Sequence, residues 1–460
     1  MKKSNNCENM TPLELRAATA LAGIFGLRML GMFLILPVFA IYAKSLPGGQ
    51  NHALVGLALG MYGLTQAIFQ LPFGMASDRF GRKPVIYFGL ALFAMGSFVA
   101  FTAHDLYWII IGRAIQGAGA ISAAITALLA DLTREEHRTK AMAMIGTTIG
   151  MTFAVSMAVS PLVYDAIGVP GMFALTGILS LLAIFVVAKL IPDPGKIIFH
   201  SDAEVSTSRL RGVLGNAQLL RLDFGIFSLH AAQMAMFVVI PSALIESGHF
   251  PESQHWKIYV PVMIFAFVLM VPMIIYGEKK AKLKNVFVAA IGLLLLSQIL
   301  FAMLLSSFWG MVFTLLLFFT AFNILEASLP SLVSKIAPVS AKGTAMGVYN
   351  TSQSLGLFTG GAMGGILAGV GGHSAVFVFG ALMSGLWLFL ASTMKAPPAV
   401  RTKMYPVKPM SEDEARQLSL ALSKLQGVYE AVVMGSEGSA YLKTEMKGFD
   451  EEGVSRLIEP

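Results

Sequence analysis

Gly74-Met75-Ala76-Ser77-Asp78-Arg79-Phe80-Gly81-Arg82-Lys83-Pro84 links two long apolar runs, Ala53–Met75 and Pro84–Thr102. Each run is close to the ~20 residues that a bilayer-spanning helix requires. One acid, two glycines and three basic groups in so short a link predict a polar hairpin at a membrane surface. Gly74 allows close backbone approach, and Gly81 can supply a turn with φ > 0. Asp78 is placed to face a helix N-terminus, where a carboxylate is favoured, and Arg82 to reach the C-terminal acid of another helix. A plain charged link obeying the positive-inside rule is the simpler reading of the same residues.

Working outward, apolar runs of spanning length recur along most of the 460 residues. A hydrophobic content of 56%, a charged content of 13% and a mean hydropathy of +0.71 exclude an ordinary soluble globule. No alternating ten-residue pattern of a membrane β-barrel is present. Spans are expected at about 17–42, 53–76, 84–102, 106–131, 141–164 and 170–191, then at 222–246, 257–276, 285–305, 308–335, 344–369 and 374–395. Thr11-Pro12-Leu13-Glu14 reads as a capping box that opens span 1. Met1–Thr11 lacks the short apolar core of a cleavable signal, so span 1 is expected to serve as an uncleaved insertion signal. The single cysteine, Cys7, cannot form an internal disulfide.

Charge sets the orientation. One set of links carries Arg79, Arg82 and Lys83, then Arg134, Arg138 and Lys140, then Lys196, Arg209, Arg211 and Arg221. Lys279, Lys280, Lys282 and Lys284 follow, then Lys335 and Lys342; the opposite set has little beyond Lys44 and Lys257. The positive-inside rule then predicts both termini cytoplasmic and an even span count, which twelve satisfies; a multi-pass protein of the cell inner (cytoplasmic) membrane is the expected localisation. The net charge of +7 is therefore topology charge and implies no nucleic acid partner.

An internal repeat supports the count. Pro72, Asp78, Arg79 and Arg82 return as Pro272, Glu278, Lys279 and Lys282, and Ala141-Met142-Ala143 returns as Ala345-Met346-Gly347. Four regions are expected: a six-helix half (1–191), a linker (192–221), a second six-helix half (222–395) and a soluble cytoplasmic domain (396–460). The end of the linker, with Leu210, Val213, Leu214 and Ala217 among arginines, suits either a short helix on the inner membrane surface or a disordered segment. Ala396-Pro397-Pro398 ends the last span. Beyond it, Ser411-Glu412-Asp413-Glu414 is a second capping box, and Ala415, Leu418, Leu422 and Leu425 share a helix face. Val428–Met434 and Ser439–Glu445 read as strands around Gly435-Ser436-Glu437-Gly438, and Asp450 can cap a helix carrying Val454, Leu457 and Ile458. With Arg401–Val407 as a first strand, the order β-α-β-β-α is a small α+β ferredoxin-like domain without its final strand. It lacks the paired cysteines that a Cys-ligated metal would need.

The pattern Gly74-x-x-x-Asp78-Arg79-x-Gly81-Arg82-Lys83 resembles the signature loop between helices 2 and 3 of major facilitator superfamily transporters. Arg28-Met29-Leu30-Gly31 with Pro37, and Arg113-Ala114-Ile115-Gln116-Gly117, resemble further motifs of the drug/proton antiporter branch. Gly146, Gly150 and Ser160-Pro161 resemble a third, with Ser160 standing where that branch usually has glycine. The resemblance covers about residues 15–395 and implies an all-α polytopic fold of twelve transmembrane helices in two pseudo-symmetric halves. It also implies a cytoplasmic latch between the halves, carried here to Gly74, Asp78, Arg79, Gly81, Arg82 and Asp131, with the helix-11 N-terminus at about Thr344 as the aspartate's partner.

The residues have weight of their own. A charge inside the bilayer costs a few kcal/mol or more unless it faces a wet cavity or a partner. Arg28, Arg113, His230 and Glu326 are the clearest ionisable residues within spans. Glu326 lies nine positions before Lys335, about 13 Å of helix, which is near the midplane where a substrate or proton site is expected. Asn323 sits one turn earlier, and Gln116 completes the candidate cavity set. A structural acid bonded to a neighbouring helix is the competing reading of Glu326, and a satisfied packing residue that of His230. Met29, Met32, Phe33 and Met236 are candidates for an adaptable apolar lining. Span 11, with Gly356, Gly360, Gly361, Gly364 and Gly365, reads as a close-packing helix.

Secondary active transport is the expected function: export of a small organic or amphiphilic solute against proton entry, with no cofactor and the proton gradient as energy source. A facilitator or uptake symporter is the nearest alternative. A membrane sensor gated by the C-terminal domain belongs to another class. No nucleotide loop, serine nucleophile with a base or metal cluster supports an enzyme or an ATP-driven pump. The bundle is expected to be monomeric, with a C-terminal domain that docks or dimerises.

Overall fold

The computed structural model describes residues 10–193, 207–280, 282–338, 341–395, 400–435, 438–445 and 448–458. Cys7, linker residues 194–206, Pro397-Pro398 and the centre of the Gly435–Gly438 turn lie outside them. Span 1 is α1 (Pro12–Phe33) and α2 (Leu36–Ala43); spans 2 and 3 are α3 (His52–Phe80) and α4 (Arg82–Phe101). Span 4 is α5 (Leu106–Ala118) and α6 (Ser122–Asp131), and spans 5 and 6 are the folded α7 (Glu135–Leu190). A surface helix, α8 (Thr207–Leu214), stands where the linker pattern allowed one. Span 7 is α9 (Ala217–Glu246), span 8 is α10 (Trp256–Lys279), span 9 is α11 (Leu283–Leu304) and span 10 is α12 (Phe308–Ile336). Spans 11 and 12 are the folded α13 (Lys342–Ser392).

Among the described residues, ten stretches are long and apolar enough to cross a membrane. Two of them fold back at Gly168 (φ 65°) and Gly372 (φ 71°), which gives twelve crossings in all. These equivalent folds, 204 residues apart, repeat the spacing of the sequence echo. The expected capping box opens α1: the Thr11 hydroxyl accepts from the Glu14 amide at 3.2 Å, and the Thr11 amide donates to Glu14 Oε2 at 2.7 Å. Glu14 also accepts from the Arg134 backbone and side chain at 2.8 and 2.9 Å, tying span 1 to the link after span 4. The basic links end helices as well. Arg221 donates to the carbonyl of Thr393, which caps α13, and Lys284 to that of Ser392, its last residue, both at 3.2 Å, where cations complement the helix dipole.

The two halves meet along α3 and α13. A Cβ on Gly56 would lie 2.1 Å from the Gly361 carbonyl oxygen, so the backbones touch as small-residue seams allow. Lys44, at the end of span 1, pairs with Glu246, at the end of span 7, on the side away from the basic links. Near the centre, Phe153 packs on Phe319 and Phe322 with ring centroids 6.0 and 5.5 Å apart. Toward the basic links, Gly146 stands two turns before Phe153 on the same face of α7, and no described atom lies within 4 Å of a Cβ placed there. The halves are thus joined on the side of Lys44, while Gly146 on the basic side faces open space. Met29, Met32, Phe33 and Met236 are buried in the core of this conformation.

The C-terminal domain runs β1 (Val400–Pro406), α14 (Glu412–Leu422), β2 (Val428–Met434), β3 (Ser439–Glu445) and α15 (Glu451–Ile458). Its antiparallel sheet has the order β1-β3-β2. Ala415, Leu422, Val433, Ala440, Leu442 and Val454 form its core, whereas Leu457 is 37% exposed. Asp450 caps α15 as expected, accepting from the Gly453 amide at 2.9 Å.

Candidate functional site

The Gly74–Pro84 stretch is not a loop over its whole length. α3 continues to Phe80, and the reversal is made by Gly81 alone, at φ 96°, where a side chain would be strained. Asp78 and Arg79 therefore sit on the last turn of α3 and Arg82 and Lys83 on the first turn of α4, and the Gly81 reversal brings Asp78 and Arg82 together as a pair. Arg82 is buried; its Nε donates to Asp131 Oδ2 at 3.0 Å and its Nη1 to Ser77 at 3.0 Å. Asp131 ends α6, where an acid opposes the helix dipole, and Arg82 offsets that. Gly74 lies against span 4, where an added Cβ would meet the Ala123 Cβ at 3.4 Å. Arg79 stacks over Phe80, 5.4 Å from the ring centroid. Asp78 is bonded to Arg82 and not to Thr344. The pairing within the first half is present, and the contact across to α13 is not.

A second cluster lies in the other half. His230 Nδ1 meets the Ile226 carbonyl at 3.2 Å, which assigns it the proton and leaves Nε2 as an acceptor for Gln353 Nε2 at 2.9 Å. The same Gln353 amide donates to Glu326 Oε1 at 3.4 Å, and Glu326 Oε2 lies 3.8 Å from His230 Nε2. Glu326 Oε2 has no hydrogen-bond partner among the described residues, nor has Asn323 Nδ2. The Glu326 side chain is 32% exposed while its neighbour His230 is sealed, and the unpartnered Oε2 is itself buried. Glu326 is bonded to the neighbouring α13 through Gln353, which the structural reading also expects, and it pairs with no Lys or Arg among the described residues.

Arg28 and Arg113 occupy the first half. Arg28 Nη1 donates to Ser122 Oγ at 2.6 Å. Arg113 Nη1 donates to Gln116 Oε1 at 3.1 Å, and Gln116 Nε2 to Ser97 Oγ at 2.7 Å. The three-residue spacing of Arg113 and Gln116 places them one turn apart on one helix face. Both arginines lie over the Tyr62 ring, 5.9 and 4.9 Å from its centroid. No hydrogen bond or ion pair joins these arginines to Glu326.

Sequence reasoning missed Gln353, Tyr349 and Asp223. Gln353 is uncharged and sits in a span whose glycines drew the packing reading, so only the register of α9, α12 and α13 exposes its role as a bridge. Tyr349 and Asp223 are buried with a hydroxyl and a carboxylate oxygen unpartnered among the described residues. Asp223 had a legible signal, an acid inside a predicted span, but stood at its edge.

Residues 21–283 and 224–423 match the Major Facilitator Superfamily. The chain is 44% identical to the inner membrane transport protein YajR of Escherichia coli (strain K12), over 98% of this chain and 99% of that protein. It is 23% identical to the quinolone resistance protein NorA of Staphylococcus aureus (strain Mu50), covering 78% and 92% of the two chains. Among solved structures, a bacterial homologue of the human lysosomal transporter Spinster, inward-facing and unoccupied, aligns over 84% of this chain and 98% of its own. Its TM-score is 0.65 at 13% identity. Twelve crossings in two halves, the Asp78–Arg82–Asp131 cluster and these likenesses agree: the chain belongs to the Major Facilitator Superfamily, as a multi-pass membrane transporter with an added ferredoxin-like domain.

Proposed function

We propose that the chain is a proton-coupled secondary transporter that exports a small organic or amphiphilic solute by alternating access, with Glu326 carrying the coupling proton. The observation that carries this reading is Glu326 itself, a mid-span acid that is partly exposed and has one oxygen unpartnered among the described residues. Burial favours the neutral acid and water access favours the carboxylate, so a change of access side moves its proton. His230 and Gln353 hold the carboxyl in place. Export is favoured over uptake by the likeness to a quinolone resistance protein.

The protein sits in the inner membrane with the basic links and both termini in the cytoplasm, and the bundle works as a monomer without a cofactor. The basic side, where Gly146 faces open space, is then the cytoplasmic mouth. Closing it turns Asp78 toward the start of α13 near Thr344, while Gly74, Arg79, Gly81, Arg82 and Asp131 keep spans 2 to 4 together as a latch. The C-terminal domain modulates this cycle. Lys443 Nζ donates at 2.6 Å to the carbonyl of Ala337, which ends α12, and so links the domain to the bundle.

The test is Glu326→Gln, which keeps size and most hydrogen bonding but removes titration. In inverted vesicles offered fluorescent amphiphiles, a quinolone among them, it should abolish proton-driven accumulation and leave downhill exchange. Undiminished proton-driven accumulation would move the coupling role to another residue, with His230 next.

A further inference from the structure

We propose that Arg28, Arg113 and the N-terminus of α6 form a receptor for an anionic group, a carboxylate or comparable oxyanion, on the transported solute. The inference rests on the transport reading and adds the solute's charge class to it. Both guanidiniums lie inside spans and are 3% and 1% exposed. A buried charge left without a counter-charge is costly, and each side chain's hydrogen bonds here go to neutral groups. Arg28 Nε and Nη2 and Arg113 Nε have no partner among the described residues, and neither arginine is ion-paired.

The described acids of the first half are spent or remote, and neither Glu326 nor Asp223 of the second half pairs with these arginines. Glu14 holds Arg134, Asp78 and Asp131 hold Arg82, and Asp105 accepts from the Trp108 amide at a helix end. Asp165 is exposed beside the Gly168 fold.

A second observation points the same way. Span 4 is broken between Ala118 and Ser122, so the ten-residue α6 begins inside the membrane. Its N-cap, Ile121, offers no side-chain acceptor to the first-turn amides. Helix N-termini carry positive potential and favour oxyanions, and broken helices at membrane depth mark solute sites in transporters. Arg28 is bonded to Ser122, the first residue of α6, which brings one guanidinium to that terminus. Gln116 and Ser97 brace the other. Between them, Tyr62 supplies an aromatic face to both and a hydroxyl unpartnered among the described residues, suited to an anion borne on an apolar body. Two guanidiniums and a helix N-terminus share one sign, so a cationic solute is repelled.

The test is equilibrium binding without any gradient, followed by thermal unfolding of the purified full chain in detergent. Benzoate and benzenesulfonate should raise the unfolding temperature saturably, and benzylammonium should not. Arg28→Gln and Arg113→Gln should each weaken benzoate about tenfold or more. Should Arg28→Gln not fold, Arg28→Lys keeps the charge but loses the planar fork, and should still bind benzoate less tightly than the parent. Absence of an anion-dependent shift in the parent, an equal response to benzylammonium, or parental affinity in the arginine variants would overturn the receptor. Because no gradient is present, anion binding without proton coupling would remove the coupling reading and leave the receptor standing; proton coupling without anion binding would do the reverse.

Discussion

Arg82 and Asp78 share one contact but differ in what they carry. Arg82 is buried between Asp78, Ser77 and Asp131, so its removal takes a charge partner from a sealed acid, a change that costs about 3–5 kcal/mol in comparable sites. The Asp78 side chain is 38% exposed and gives up little packing. Arg82→Ala is therefore expected to lower the unfolding temperature of the purified protein and impair transport. Asp78→Asn should unfold near the parental temperature yet move little solute. Equal unfolding temperatures for the two variants, or parental transport by Asp78→Asn, would contradict this division. The Arg82–Asp131 pair was legible because an acid at its own helix C-terminus calls for a cation. The Gln353 bridge was not, because an uncharged side chain acquires meaning only once three helices are packed.

At the scale of elements, capping chemistry and charge read well, and backbone continuity did not. Both capping boxes form as expected, and the second is seen in the Ser411 amide donating to Glu414 Oε2 at 2.9 Å. The motif between spans 2 and 3 looked like a loop because its residues are polar, yet a helix projecting past the bilayer can carry them and turn at one glycine. The Glu278 echo is also altered: it pairs with Lys335 at the end of α12 at 3.1 Å, reversing the Arg82–Asp131 polarity. Lys443 has a use that no pattern announced. Strand alternation sends Leu442 into the domain core and Lys443 to the other face, where it meets Glu430 and the Ala337 carbonyl. Lys443→Met should release that contact and speed amide hydrogen exchange around Ser334–Ala337, with the strand pairing kept. Unchanged exchange there would mean that the contact does not hold the domain to the bundle.

For the whole molecule, span number and the two-half repeat were legible because a bilayer leaves helices almost no alternative. Which side stands open was not legible. That depends on small differences between two packings of the same helices, the Lys44–Glu246 pair and the α3–α13 seam on one side against the Asp78 contact on the other. Orientation follows from the basic links: single cysteines placed between Gly74 and Pro84 in Cys7→Ser protein should resist an impermeant reagent in intact cells, and labelling from outside would reverse the topology. The central claim, export driven by proton entry, is tested most directly in proteoliposomes enclosing a pH-sensitive dye. Addition of a transported solute, with a quinolone as the first probe, should drive protons in the opposite direction through the parental protein, and this movement should vanish in Glu326→Gln. Solute movement with no accompanying proton movement, or with protons moving in the same direction, would contradict the account.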